Sequence, residues 1–320
     1  MMDEFQIIAE IFAPLATHEG AFGLLDDAAA IPSRPGFELV VTTDQIAEGT
    51  DFFAFDPAIT IAQKALRVNL SDLAAKGARP EFYLLNIALP ESVTYDWLSA
   101  FASGLAEDQN LFSISLLGGD TSRSEGPLSI MVTALGFVPE GKILRRKGAR
   151  PGDGVYVTGS IGDSGGGLAI FKRETHSLDE AQRDYLTGRY RVPEPPVAFG
   201  PSLRGLASAS VDISDGLIAD LGHIAEASGV HIAVEAEQIP RSAALRAFWG
   251  DDVEAILRAA TAGDDYQIAF TADPAHEKAI LAAAKSVAVT RIGNVTTGQG
   301  VELRGQDGII PVPSPGYQHF

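Results

Sequence analysis

The spacing of apolar residues changes period several times along the chain, and each change marks an element. Phe37 to Thr43, FELVVTT, is a compact apolar run that predicts a strand. From Pro57 to Lys76 the apolar positions Ile59, Ala62, Leu66 and Leu73 recur at helical spacing, and Gly77 and Pro80 stop the helix. A strand-like FYLLNIAL from Phe82, a helix over residues 95–107 and strands near 112–117 and 128–137 complete a first unit of mixed α/β character. The segment Gly148 to Gly154, GARPGDG, is dense turn chemistry, and strand and helix alternate again beyond it. Strands are expected at 155–158, 209–213, 231–235 and 266–271, with helices at 164–172, 217–227 and 275–284. The expected organisation is therefore two α/β (α+β) domains, residues 1–148 and 149–320. The tail PVPSPGYQHF is too rich in proline for regular structure and is expected to lie extended, its Tyr317, His319 and Phe320 either covering a site or packing on their own domain.

Composition narrows the chemistry. At 320 residues and 46% hydrophobic content the chain can bury more than one core. It has no cysteine, which excludes disulfides, thiolate metal sites and cysteine nucleophiles. No apolar run is long enough to span a membrane and the first residues are acidic, so a cytoplasmic protein is expected. A net charge of -18 disfavours nucleic acid and anionic membranes as partners. The densest basic run, Arg145-Arg146-Lys147, is large enough to meet one polyphosphate. An acidic protein that handles phosphate needs divalent cations between the two sets of oxygens.

The aspartates carry that idea further. Asp26 and Asp27, Asp44, Asp72, Asp120, Asp212 with Asp215, and Asp264 with Asp265 mostly fall beside glycine or where an apolar strand is expected to end. Strand ends are where sites assemble in α/β sheets. Turns and helix caps also favour aspartate, and a cap for the helix from Leu217 is the competing role for Asp215. Asp72 is different, because it lies well inside a helix where neither a turn nor a cap accounts for it and a solvated helix face is the competing role. Carboxylates without histidine or cysteine clusters suit Mg²⁺ or Ca²⁺ rather than zinc or copper; the EF-hand spacing is absent, and Mg²⁺ goes with phosphate. There is no Walker A sequence and no protein-kinase motif set. One glycine-rich loop, Thr158 to Gly167, runs from a strand into a helix, where its amides either cradle an anion or simply make a tight turn.

Taken in order, the segments LLDDAAAI, VTTDQIAEGTDFF, KALRVNLSDLAAKGARP, LLGGDTSR, GFVPEGKILRRKGARPGDGVYVTG, GDSGGGLAI, VDISDGLIADLGHI, AGDDYQIAF and GYQHF resemble the thiamine-monophosphate kinase family, across nearly the whole chain. That family sits in a superfamily with aminoimidazole ribonucleotide synthetase and selenophosphate synthetase. The resemblance implies an N-terminal α/β domain whose sheet pairs with a second subunit's into a barrel, a C-terminal α/β domain, and a homodimer. It implies ATP and thiamine phosphate as substrates, with several Mg²⁺ ions. Metal contacts would fall on Asp27, Thr42, Thr43, Asp44, Asp72, Asp120, Asp212 and Asp215, with Asp44, Asp72, Asp120 and Asp215 central to catalysis. Nucleotide contacts would fall on Gly119, Asp120, Arg146 and Ser214, and acceptor contacts on Asp51, Asp264 and Tyr317. Leu24 and Leu25 separate Gly23 from Asp26, where the family places glycine directly before the paired aspartates. The rival readings are a sibling ATP-dependent cyclo-ligase and a non-catalytic Mg-nucleotide binder.

Overall fold

A computed structural model describes residues 4–174 and 178–317, so His319 and Phe320 of the tail lie outside the described residues. The chain forms two compact units, the first comprising Met1–Leu73 and Ala78–Gly141, the second Ala74–Gly77 and Lys142–Phe320.

In the first unit, α1 (Glu4–Ile7) and short helical turns lead to β1 (Phe37–Ala47), α2 (Ala58–Ala75), β2 (Arg79–Leu89), α3 (Tyr95–Phe112), β3 (Ser115–Arg123) and β4 (Ser129–Pro139). The strands form one sheet in the order β1-β4-β2-β3, with β2 and β3 parallel and the other pairs antiparallel. Strand alternation sends Val40, Ile46, Val132, Tyr83, Leu85 and Ile87 to one face, where they are buried. Both helices bond to that face, α2 through Asp72 and α3 through Gln109, whose amide donates to the Tyr83 hydroxyl at 3.0 Å. Between the helices, Arg67 grips Asp108 with two bonds of 2.8 and 2.7 Å, a buried bidentate pair.

The second unit contains β5 (Gly154–Thr158), α4 (Asp163–Phe171), α5 (Glu180–Arg191), β6 (Ala207–Ile213), α6 (Leu217–Ser228), β7 (His231–Glu235), α7 (Ala243–Trp249), α8 (Val253–Ala260), β8 (Gln267–Ala272), α9 (Glu277–Ala283), β9 (Val289–Thr296), β10 (Gly300–Gly305) and β11 (Gly308–Ile310). Its seven-stranded sheet runs β11-β10-β7-β9-β5-β8-β6, and β7 with β10 is its parallel pair. Val155, Val157, Val211, Ile213, Ile232 and Ile292 join Leu217 and Leu221 of α6 in its core.

Three features differ from the sequence expectation. β1 and β3 run on past the expected ends, so Asp44 and Gly118-Gly119-Asp120 lie within strands rather than terminating them. Both are edge strands, whose open side admits polar residues that an apolar-run criterion rejects. The turn-rich 148–154 segment lies inside the second unit, which begins at Lys142 and also takes the end of α2. Within that unit the Lys76 carbonyl accepts from the Leu144 amide at 3.0 Å and Lys76 Nζ donates to the Ser210 carbonyl at 3.1 Å. α5 was not visible as a periodic segment because Leu186 and Tyr190 are its buried residues; it is instead set by a capping box between Asp179 and Gln182.

Candidate active site

The first unit holds two separate groups of candidate residues. Thr42 and Asp44 share the helix-facing side of β1, and the Thr42 hydroxyl donates to Asp72 Oδ2 of α2 at 2.5 Å. Asp51 follows β1 in a turn, where its Oδ2 accepts from the Ala47 amide at 2.8 Å and its carbonyl accepts from Lys64 Nζ at 2.7 Å. Crowding has an electrostatic consequence. Lost solvation, then the charge and hydrogen bond of Asp72, then the charge of Asp51 push the Asp44 carboxyl up to about 7. Asp44 still has substantial accessible surface, so the like charges of its neighbours are the cause that matters chemically. Thr43 points to the opposite face, where its hydroxyl meets Thr133 Oγ1 at 3.0 Å, so its side chain is not part of this group.

Asp27, Gly119 and Asp120 line a cavity of about 540 Å³ at the other edge of the sheet, together with Phe12, Leu24 and Asn86. Asp44, Val132, Leu85 and Gly119 form one row across the four strands. Three strand spacings therefore separate Asp44 from Gly119, roughly 14 Å. Alternation turns Asp120 to the face opposite Asp44. Within one chain, Asp120 therefore lies apart from Asp44 and Asp72. Phe22, Gly23 and Leu24 all have positive φ, at 50°, 65° and 58°, which is how the two inserted leucines are accommodated beside the cavity.

Gly119 is dictated by close approach. Its φ is 154°, and a Cβ there would lie 1.7 Å from the Leu85 carbonyl oxygen. Gly119→Ala is expected to destabilise the first unit by about 3 kcal/mol, read as a lower midpoint in urea unfolding.

In the second unit the candidates are knitted together by main-chain bonds. Asp212 is buried near the end of β6, and Ser214, Asp215 and Gly216 make the turn into α6. The Ser214 carbonyl accepts from the Asp264 amide at 2.8 Å, and the Asp215 carbonyl accepts from the Tyr317 amide at 2.9 Å. Arg146 lies exposed on a segment that bonds along edge strand β6, where the Ser210 amide donates to the Arg145 carbonyl at 2.9 Å. Asp212, Ser214, Asp215, Asp264 and Tyr317 thus surround one turn, with Arg146 alongside.

Sequence reasoning missed Asp220. Its Oδ2 accepts from the amides of Ser214, Asp215 and Gly216 at 3.1, 3.1 and 3.2 Å, so Asp220, not Asp215, caps this turn. Burial and the Asp215 charge push its carboxyl up to about 7 against those three amides. Ligand atoms of Asp215, Asp220 and His223 lie within 4.8 Å of one another. The available signal was an aspartate in the first turn of α6, five residues after Asp215.

The glycine-rich loop is an internal joint and not an open anion cradle. The Gly162 amide donates to Asp265 Oδ2 at 2.6 Å and the Ser164 amide to Oδ1 at 3.4 Å. The glycines allow packing: a Cβ on Gly162 would lie 2.7 Å from Ala259, and one on Gly167 would lie 2.2 Å from the Leu186 carbonyl oxygen. Burial, opposed by the Gly162 amide and reinforced by the Asp163 charge, pushes the Asp265 carboxyl up to about 8. The folded state therefore keeps this proton to about pH 8, whereas the unfolded chain releases it near pH 4. Stability is full below the lower value and is lost as pH rises through the upper one. The thermal midpoint is expected to fall between pH 5 and pH 8, and Asp265→Asn is expected to flatten that slope.

Residues 25–138 match the family described as AIR synthase related protein, N-terminal domain, and residues 150–306 match its C-terminal domain. The chain is 44% identical to the thiamine-monophosphate kinase of Caulobacter vibrioides, over 95% of this chain and 88% of that protein. The chain belongs to the thiamine-monophosphate kinase family. The crystal structure of thiamine-monophosphate kinase from Stenotrophomonas maltophilia resembles it with a TM-score of 0.81 and 43% identity, covering 88% of this chain and 89% of that one. The structure of AaThiL complexed with AMPPCP and TMP resembles it with a TM-score of 0.80 and 29% identity, covering 100% and 99%. Membership in the thiamine-monophosphate kinase family accords with the two-domain AIR synthase-like α/β fold expected from the sequence. Among the described residues no helix is long and apolar enough to cross a membrane.

Proposed function

We infer that this chain transfers the γ-phosphoryl group of ATP directly, in line, to the phosphate of thiamine monophosphate, releasing ADP and thiamine diphosphate. The observation that carries this reading is the carboxylate group at Asp44, Asp72 and Asp51, where lost solvation and then like charges raise the Asp44 carboxyl to about 7, in a chain whose relatives are named for this reaction. A solved relative that holds AMPPCP and TMP together supports ATP and the phosphorylated acceptor as the substrate pair.

The donors fit Mg²⁺. They are hard oxygens, and their mutual repulsion is what a divalent cation relieves. Asp44, Asp72 and the Thr42 hydroxyl would hold one ion; Asp27 and Asp120, and Asp212 and Asp215, are the further candidates. Bound there, Mg²⁺ supplies charge neutralisation for phosphate oxygens that otherwise repel each other and the protein. No general base is needed, because the acceptor phosphate is already largely dianionic at neutral pH, its second pKa being about 6. The work left to the side chains is orientation. In the first unit Gly119 would contact the nucleotide and Asp51 the acceptor; in the second, Arg146 would screen the polyphosphate, Ser214 offer a hydroxyl at the β6–α6 turn, and Asp264 and Tyr317 meet the acceptor.

The working form is a homodimer in the cytoplasm, where ATP is supplied. Phe37, Leu39 and Val41 of edge strand β1 are 45%, 47% and 55% exposed. Such an apolar patch, on the face of β1 turned away from the helices, is covered in a stable protein. A second copy, its sheet joined to this one, would also bring an Asp27–Asp120 edge to the Asp44–Asp72 edge that one chain keeps apart.

The deciding experiment is an ADP-release assay with thiamine monophosphate, with and without Mg²⁺, and with formylglycinamidine ribonucleotide in its place. Mg²⁺-dependent ADP release with thiamine monophosphate alone is expected. Release with the ribonucleotide alone would establish the cyclo-ligase reading, and nucleotide binding without ADP release would leave a non-catalytic binder.

A further inference from the structure

The turn that carries Asp264 is built in an uncommon way. Asp264 and Tyr266 both have positive φ, 68° and 50°, a conformation that side chains of this size rarely adopt. Between them Asp265 is 3% exposed. Runs of left-handed non-glycine residues persist where surrounding contacts over-determine them. Here the contacts come from two sides. On one, the Asp264 amide donates to the Ser214 carbonyl at 2.8 Å and the Tyr266 amide to the Ile213 carbonyl at 2.7 Å. On the other, the Asp265 carboxyl receives the Gly162 and Ser164 amides at the start of α4. The Tyr266 hydroxyl then donates to Asp264 Oδ1 at 3.1 Å, so the two flanking side chains form one polar pair.

We propose that Asp265 is a positioning residue for the acceptor: its carboxyl, pinned to the start of α4, holds the left-handed turn that presents Asp264 and Tyr266 together. The group they would meet is the non-phosphate end of the acceptor, whose thiazolium cation and amino group suit a carboxylate and a phenol. This rests on the acceptor role inferred for Asp264. It also gives the glycine-rich loop a purpose: its glycines let α4 pack closely against α5 and α8, which makes α4 a firm anchor for Asp265.

A residue that only stabilised α4 would lower the unfolding midpoint without touching substrate affinity, so the test separates the two. Asp265→Asn is expected to raise KM for thiamine monophosphate about tenfold and to leave KM for ATP within about twofold. Added to Asp264→Ala, it is expected to raise that KM by no more than the roughly threefold share carried by Tyr266, because the Asp264 contact is already gone. Multiplying effects in the double variant, or an unchanged acceptor KM in Asp265→Asn, overturn the proposal while leaving the kinase reading intact. An unchanged KM in Asp264→Ala alone removes the acceptor role of Asp264, and the positioning role with it. Tyr266→Phe guards against an Asp265 variant that does not fold. It leaves the anchor in place and is expected to raise the acceptor KM about threefold with KM for ATP unmoved; no rise overturns the claim that the turn presents both side chains.

Discussion

Replacing Asp72 with asparagine is expected to lower turnover at least about a thousandfold while the chain remains folded. Asp72 is half-buried inside α2, receives the Thr42 hydroxyl at 2.5 Å and stands against Asp44, whose carboxyl it helps push up to about 7. A side chain that raises its neighbour's pKa by like-charge repulsion works against stability, and Asp72→Asn removes that repulsion while keeping the shape. The unfolding midpoint without Mg²⁺ is therefore expected to hold or rise. Activity moves the other way, because a full negative charge is lost from the group that would bind the cation. A factor of one thousand corresponds to about 4 kcal/mol, the scale of an electrostatic contact made in the transition state. The ADP-release assay and a thermal unfolding scan read the two halves. Retained turnover would remove Asp72 from the reaction, and a loss of folding would make its role structural.

Mixing two inactive variants is expected to restore activity. Asp44 and Asp72 lie at the β1 edge of the first unit's sheet, and Asp27 and Asp120 at the β3 edge. If each site takes one edge from each of two subunits, a dimer of one Asp72→Asn chain and one Asp120→Asn chain carries both lesions in one site and none in the other. Half of the dimers in an equal mixture are mixed, so roughly a quarter of wild-type activity should return after subunit exchange. Each variant alone is expected to stay at background. Failure to complement, with mixed dimers demonstrated by a tag on one variant, would mean that the two edges serve different sites or that each site lies within one chain.

Much of this was written in the chain's local pattern. β7 was expected at 231–235 and lies there, and α2, expected over 57–76, spans Ala58–Ala75. These elements have one apolar period and clear ends, so local rules suffice. The oddity of Asp72 was also visible, because inside a helix neither a turn nor a cap explains an aspartate and only a solvated face competes. Edge strands were read too short, since one side of β1 and β3 is open to polar residues. The glycine-rich loop had two local readings. Only the arrival of Asp265, 103 residues away, decided between them.

The sequence by itself determined the class of chemistry: no cysteine, a surplus of carboxylates, and motifs in an order that belongs to one kinase family. Residue types and their order along the chain are local information, and they carry that much. The tertiary structure alone decided which carboxylates meet. It put Asp44 beside Asp72 and left Asp120 across the sheet, and it gave Asp220 and Asp265 the task of holding the turns around Asp215 and Asp264. Those pairings depend on strand order and on which face each side chain takes. Both are fixed by contacts between residues far apart in the chain, to which spacing along it is blind.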